Sequence, residues 1–422
     1  MQCAATPVVT GSINGRGDST RVPATRATVR AQRLSPARQG SPLASVAAGG
    51  LVLALLAGCS SLNPFASKVV VRNPPAALTT VAPTITARTV WSASVGKAGP
   101  NVFSPAAVGD SVYAAASNGT IVRLDAATGR EIWKINAGVP LSAGVGTDGA
   151  IIAVGAANGT LLTFSVDGKP GWKAQLSSEI LSAPAVGQGL VIVRSLDNRI
   201  AGYDVETGTR RWLVQRTAPS LILRSAPGIS ITGQNAFVAL PGGRLLALAT
   251  SNGGPRWEAT VGDPRGTSEL ERIADVSGMP ASDGSQVCAA AYQGRIACFD
   301  NSGGNTNWSK EFSSSVGVGM DGRYVYGSDE RGNVNAFTRE AGTSVWRNSA
   351  LLNRGLSAPT PYRRSVVVGD YQGYIHFLSR EDGALMARLP TDGSPVLGTP
   401  VVSGSNLIFQ TQAGTVAAFA AE

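Results

Sequence analysis

One unit recurs along this chain at intervals of about forty residues, and no other feature limits its fold so severely. The clearest copy runs from Asn118-Gly119 through Thr120-Ile121-Val122-Arg123-Leu124-Asp125, turns at Ala126-Ala127-Thr128-Gly129, and reaches Trp133. It comprises a Gly turn, an alternating strand, a second turn closing on Gly, and a Trp. Further copies start at Asn158-Gly159, Asp197-Asn198, Gly242-Gly243, Gln293-Gly294, Arg331-Gly332, Gln372-Gly373 and Ala413-Gly414. Between the second residues of these pairs the spacings are 40, 39, 45, 51, 38, 41 and 41. The unit therefore occurs eight times.

Its local chemistry is that of a hairpin. Asn-Gly between apolar runs turns tightly because both residues tolerate positive φ. In Asp125 to Gly129 and Asp204 to Gly208, the Asp side chain bonds nearby backbone N–H groups and the Gly takes the left-handed position. Ser104-Pro105-Ala106, Ser182-Ala183-Pro184, Ser225-Ala226-Pro227, Ser357-Ala358-Pro359 and Thr399-Pro400 open a further, inner strand. The repeat predicts four-stranded antiparallel sheets with almost no helix. Eight of them make an all-β, eight-bladed β-propeller over residues 86–422.

The Trp residues predict how the ring closes. They stand at 91, 133, 172, 212, 257, 308 and 346, with Ala387 at the seventh blade's position. The eighth copy reaches Glu422 before its Trp could occur, while Trp91 precedes the first hairpin and has none of its own. Arg88–Val95 is therefore expected to be the outer strand of blade eight, leaving no open sheet edge. The Trp residues are read as structural.

Residues 1–58 carry six Arg and one acid, Asp18, so they hold +5 of the formal net charge of +9. The remaining +4, spread over the rest of the chain, is no nucleic-acid footprint. Residues 43–58 contain no charge and follow Arg38, as in the n- and h-regions of a signal peptide. A run of 16 residues is short for a membrane span. Leu56-Ala57-Gly58-Cys59 resembles the bacterial lipobox, which implies cleavage before Cys59 and lipid on its thiol. Ser60 follows rather than the inner-membrane retention Asp, which implies the outer membrane. The segment before Leu43 is longer than such a signal needs, so the true start is expected downstream. Residues 59–85, with Pro64, Pro74, Pro75 and Pro83, read as the lipidated Cys and a flexible tether, with some extended structure at Lys68–Arg72.

The residues exclude much chemistry. The single His, His376, lies in a repeat strand, where a packed side chain is expected rather than a triad base. One His supports no multi-histidine metal site, and no carboxylates are spaced for a metal. The repeat resembles that of the quinone (PQQ)-dependent alcohol dehydrogenases. Their catalysis adds an acidic base, a calcium held by carboxylates and amides, and commonly a vicinal Cys pair. This chain has no Cys-Cys pair and no room for their long insertions, so neither enzyme activity nor cofactor is expected. Cys3 falls in the removed segment. Cys288 and Cys298 flank the Gln293-Gly294 turn and should face each other on neighbouring strands. Directly opposed Cys often fit disulfide geometry poorly and pack well as small apolar side chains, so packed thiols are the expectation. A disulfide is the alternative an oxidising compartment would allow.

Function on a propeller usually sits on loops at one face. From Trp133 to Ser142 the chain takes 9 residues and from Trp172 to Ser182 it takes 10, but from Trp212 to Ser225 it takes 13 and from Trp257 to Pro280 it takes 23. The two long connections belong to neighbouring blades. The first contains Leu221-Ile222-Leu223-Arg224, an apolar triplet with a cation, as in interface anchors. A single Leu there could equally plug the gap between blades. In the second, Ser268, Leu270, Ile273 and Ala274 predict a short helical turn capped by Ser268. Glu269, Glu271 and Asp275 make that loop acidic, so Arg224 is expected to pair with its carboxylates.

The lipobox, the eight repeats, Ser220-Leu221-Ile222-Leu223-Arg224 and Gly266-Thr267-Ser268-Glu269-Leu270-Glu271-Arg272-Ile273-Ala274-Asp275-Val276 together resemble the BamB (YfgL) family of propeller lipoproteins. The resemblance spans essentially the whole mature chain. It implies a scaffold of the outer-membrane β-barrel assembly (BAM) complex that binds periplasmic POTRA domains of BamA and faces the periplasm. Family members use a Leu-x-Leu-Arg loop and an Asp-Val-Asp loop, which match Leu221, Leu223 and Arg224, and Asp275-Val276-Ser277. Ser277 replaces the second Asp, shifting weight to Asp275. Unfolded outer-membrane protein substrates are conceivable partners through strand-edge pairing. The rival readings are a substrate-binding or enzymatic quinoprotein and a propeller scaffold of another envelope complex.

Overall fold

Alternating strands separated by positive-φ Gly and Asn fold as the repeat dictates. The computed structural model describes residues 73–422, and its strands form eight four-stranded antiparallel sheets. The signal peptide expected over residues 1–58, the lipidation expected at Cys59 and the extended structure expected at Lys68–Arg72 lie outside the described residues. Blade one is Ala106–Val108, Ser111–Ala115, Thr120–Asp125 and Glu131–Asn136, in that order from the inner strand outward. Blade eight takes Val401–Ser403, Asn406–Gln410 and Thr415–Ala421 from the C-terminus and Ala87–Ser94 from the other end of the chain. Their register runs from Ala87 opposite Ala421 to Ser94 opposite Thr415, so the ring closes as expected.

Eight apolar clusters hold the ring together, each formed between two neighbouring blades. The Trp residues lock these junctions. Trp91 donates its indole N–H to the Ala126 carbonyl at 3.0 Å, in the turn between the third and fourth strands of the next blade. Trp133, Trp172, Trp212, Trp257, Trp308 and Trp346 bond the corresponding turns at Val166, Val205, Thr250, Asn301, Arg339 and Arg380. Each fourth strand joins the third with a register shift beside the Trp position. Such bulges increase local twist, which helps turn the indole toward its neighbour. The turn Gly is needed for the same contact. At Gly129, φ is 70°, and a Cβ would sit 2.5 Å from the Trp91 ring.

This arrangement explains Ala387. The Trp receptor is a third-to-fourth-strand turn, and blade eight has none because the ring closes there between two separate chain segments. Seven turns receive seven Trp. Ile85, buried, fills the vacated space beside Ala387 and Ala421. Trp212→Ala removes a buried indole and its hydrogen bond to Thr250. Urea unfolding should show a loss of about 3–5 kcal/mol. A loss below ~1 kcal/mol would mean the indoles are not the locks.

For residues 74–85, part of the 59–85 segment read as a flexible tether, that reading is corrected. The Ala76 N–H donates to the Leu352 carbonyl at 2.8 Å, and the Thr84 N–H donates to Met386 at 2.9 Å. Thr86 and Glu422 exchange backbone hydrogen bonds. This strap runs along the outer edge of blade seven, because its backbone finds partners there that Pro-rich composition could not reveal.

His376 is packed, as expected of a strand residue, and it belongs to a buried charged network. Its Nε2 lies 2.9 Å from the Asp370 carboxylate, and its Nδ1 accepts from Arg388 at 3.2 Å. Asp370 also accepts from Arg354 at 2.7 Å. Arg354 then donates to the Ala76 carbonyl and Arg388 to Thr79, so the network grips the strap.

Cys288 and Cys298 form a disulfide, which corrects the expectation of packed thiols. They are opposed across the second and third strands of blade five, with Cα atoms 4.1 Å apart. A close antiparallel pair of this kind brings the two side chains within bonding reach, and both are fully buried.

Candidate partner-binding face

Connections from one blade to the next all emerge on the face where the inner strands begin, and the two long ones lie side by side there. The first joins Arg210–Gln215 of blade three to Ile229–Thr232 of blade four; the second joins Pro255–Thr260 of blade four to Val276–Ser282 of blade five. Neither is a loose excursion. Asp275, almost fully buried, accepts the Leu223 N–H at 2.6 Å and the Gly242 N–H at 2.9 Å. The Ser220 hydroxyl donates to Glu269 at 2.6 Å. Gly228 of blade four donates to the Gly278 carbonyl at 2.8 Å. Arg194 is also buried. Desolvation pushes its guanidinium down to about 10, against the opposing pull of the Asp275 charge.

Within the second connection, Ser268 and Glu271 cap one turn reciprocally. The Ser268 hydroxyl accepts the Glu271 N–H at 3.3 Å, while the Glu271 carboxylate accepts the N–H groups of Ser268 and Thr267. This is a capping box. The Ser268 and Thr267 bonds hold the Glu271 carboxyl below its ordinary range. Ile273 and Ala274 pack inward, but Leu270 does not and is 68% exposed.

Three expectations about this face need correction. Arg224 does not pair with the acidic loop. It makes a two-pronged ion pair with Glu179, in the connection from blade two to blade three, at 2.6 and 2.9 Å, and reaches Asn101 at 3.5 Å. Asp275 is buried rather than outward, and its two oxygens accept from Leu223 of the first loop and Gly242 of the blade-four hairpin. Ser277 is buried and donates to the Asp275 carbonyl at 3.2 Å. Of the expected partner-binding residues, Leu221, Arg224, Glu271 and part of Leu223 remain outward, joined by the exposed apolar side chains of Leu270 and Met279. Glu179 and Met279 escaped sequence reasoning, since nothing in their local sequence indicates either exposure or the cross-blade pair. Leu270 was legible only as a helical-turn residue.

Residues 40–137, 117–348 and 330–422 match the family described as outer membrane protein assembly factor BamB. The chain belongs to the BamB family. It is 42% identical over 383 residues to the BamB of Burkholderia pseudomallei, covering 90% of this chain and 98% of that one. It is 31% identical over 382 residues to the Escherichia coli BamB, covering 87% and 96%. The crystal structure of BamB from Moraxella catarrhalis superposes with a TM-score of 0.73 at 27% identity, covering 79% of this chain and all of that one. Those BamB relatives are named outer membrane assembly factors. A quinohemoprotein alcohol dehydrogenase from Comamonas testosteroni shares the propeller alone, with a TM-score of 0.63 at 14% identity.

That shared fold raises the question of a quinone. The first loop, together with the inner-strand starts of most other blades, encloses a central cavity of about 520 Å³. Val102, Leu181, Leu223, Met279, Val316 and Leu397 line it, and Arg224 is its one charged lining residue among the described residues. Among the described residues no Asp, Glu, Asn or Gln lines it, so a calcium would find neither carboxylate nor amide ligands there. The residues present do not fit a quinone with its calcium.

Asp275→Asn should damage this face from beneath. The amide supplies one acceptor where two N–H groups need one each, and it leaves Arg194 buried without its counter-charge. Chemical unfolding should show a loss of about 3 kcal/mol, and any partner affinity carried by the first loop should fall with it. An unchanged midpoint would show that Asp275 does not hold the loop.

Proposed function

We propose that this chain is a non-catalytic scaffold of the BAM complex, anchored by lipid on Cys59 in the outer membrane and facing the periplasm. In this reading it docks on POTRA domains of BamA through Leu221, Leu223 and Arg224, with Leu270 and Met279 widening the apolar contact. Asp275 and Ser277 act from below by shaping the two loops, and the exposed Glu271 shapes the second through its cap. It works without enzyme activity or cofactor and assists insertion of β-barrel proteins into the outer membrane.

The observation that carries the proposal is the pre-organised first loop. Its backbone is clamped by Asp275, and Arg224 is oriented by Glu179, so little ordering entropy remains to be lost on binding. Apolar side chains around an Arg are the composition of a protein-binding centre. Purified POTRA domains of BamA should be captured by the immobilised protein. Absence of capture, with a correctly folded propeller, would sink this assignment and favour another envelope partner.

A further inference from the structure

The opposite face carries a cluster that partner docking does not use. The first turn of blade seven presents Arg363 and Arg364 side by side, both exposed. With Arg323 of blade six and Arg380, Ser379, Glu381 and Met386 of blade seven they line a cavity of about 500 Å³. Arg323 pairs with Glu381 and Arg380 with Asp321. Arg363 and Arg364 have no carboxylate at ion-pair distance among the described residues. The Arg363 guanidinium lies over the Tyr362 ring, 5.8 Å from its centre, which leaves its N–H edge free for an anion.

The same two arginines and Met386 also line a second cavity of about 290 Å³, with Ile85 and Ala421. Glu422 is its one acidic lining residue. A cationic rim beside an apolar slot suits a ligand with a negative head and an apolar tail.

We infer that Arg363 and Arg364 bind the phosphate of an anionic phospholipid whose acyl chain enters the slot beside Met386 and Ile85. The inference rests on the reading of Cys59 as the lipid anchor only for its membrane setting. At most about 50 Å of chain then separates the bilayer from Pro74, so the body stays within reach of headgroups.

The test uses residues 71–422, which form a compact unit without the anchor, so failure here would leave the Cys59 reading intact. The body should co-float with phosphatidylglycerol vesicles and not with phosphatidylcholine vesicles. Arg363→Ser with Arg364→Ser should weaken that binding about 30-fold with an unchanged melting curve. Met386→Gln should weaken vesicle binding while leaving inorganic phosphate affinity as it was. Equal flotation of parent and double variant would overturn the site. Displacement by inorganic phosphate at its own affinity, with no effect of Met386→Gln, would reduce it to a plain anion site and overturn the lipid. Tighter, Arg-dependent binding of a poly-glutamate peptide than of vesicles would also overturn it, in favour of an acidic protein partner.

Discussion

Leu223→Ala combined with Arg224→Ala should lower capture by isolated BamA POTRA domains about 100-fold or more, with the melting temperature unmoved within about 2 °C. The two parts follow from different physics. Arg and well-packed apolar anchors at an interface centre commonly cost 2 kcal/mol or more each on truncation. The fold should not notice, because what positions the loop is the Leu223 backbone N–H on Asp275, and alanine keeps that group. The lost Arg224–Glu179 pair is solvent-exposed on the Arg side, and such pairs contribute little to stability. Surface plasmon resonance alongside calorimetry separates the outcomes. Persistent binding with an unchanged melt would remove this loop from the interface.

Asp370→Ala should cost about 3–5 kcal/mol, lowering the melting temperature by roughly 5–10 °C. Arg354, Asp370 and His376 are all almost completely buried. Removing the shared carboxylate leaves a guanidinium and an imidazole without their acceptor, and Arg354 loses the support that aims it at Ala76. The strap should loosen as well, giving faster amide exchange at Ala76 and Thr84.

The same network makes stability depend on pH in one direction. Burial holds His376 below its ordinary value near 6.5, despite the Asp370 carboxylate. The unfolded chain therefore takes up this proton first as pH falls, which favours unfolding. Burial alone would raise Asp370. The hydrogen bonds from His376, Tyr374 and Arg354 outweigh it and hold the carboxyl below its ordinary 3.8. Here too the unfolded state protonates first. Stability should be greatest above about pH 6.5 and fall in two stages: through the His range, then below about pH 4. In His376→Asn the first stage should vanish. If acid denaturation kept both stages in that variant, the assignment to His376 would be wrong.

The limits of sequence legibility follow from which interactions are periodic. Gly and Asn at hairpin turns, alternating strand residues and recurring Trp are local or repeat at a fixed interval, so they could be counted without knowing any contact. Ring closure was legible for the same reason, since Trp91 was a fourth strand lacking its first three. The BamB family resemblance was legible from the lipobox and the two anomalous loops. Arg224 was expected on the acidic loop and sits on Glu179, because partner choice across blades depends on where a side chain projects. Asp275 was expected at a surface and is buried for the same reason.

Residue order alone thus determined the number of blades and the strand order within them, because each depends on neighbours within one forty-residue unit, and the place where the ring shuts, because Trp91 could be counted as a fourth strand without its first three. Only the tertiary structure decided what Ala387 means, that residues 74–86 clasp blade seven, that Cys288 and Cys298 are joined, and which loop residues are left to face a partner. Those depend on distances between segments far apart in the chain, and a repeat carries no record of how its copies touch.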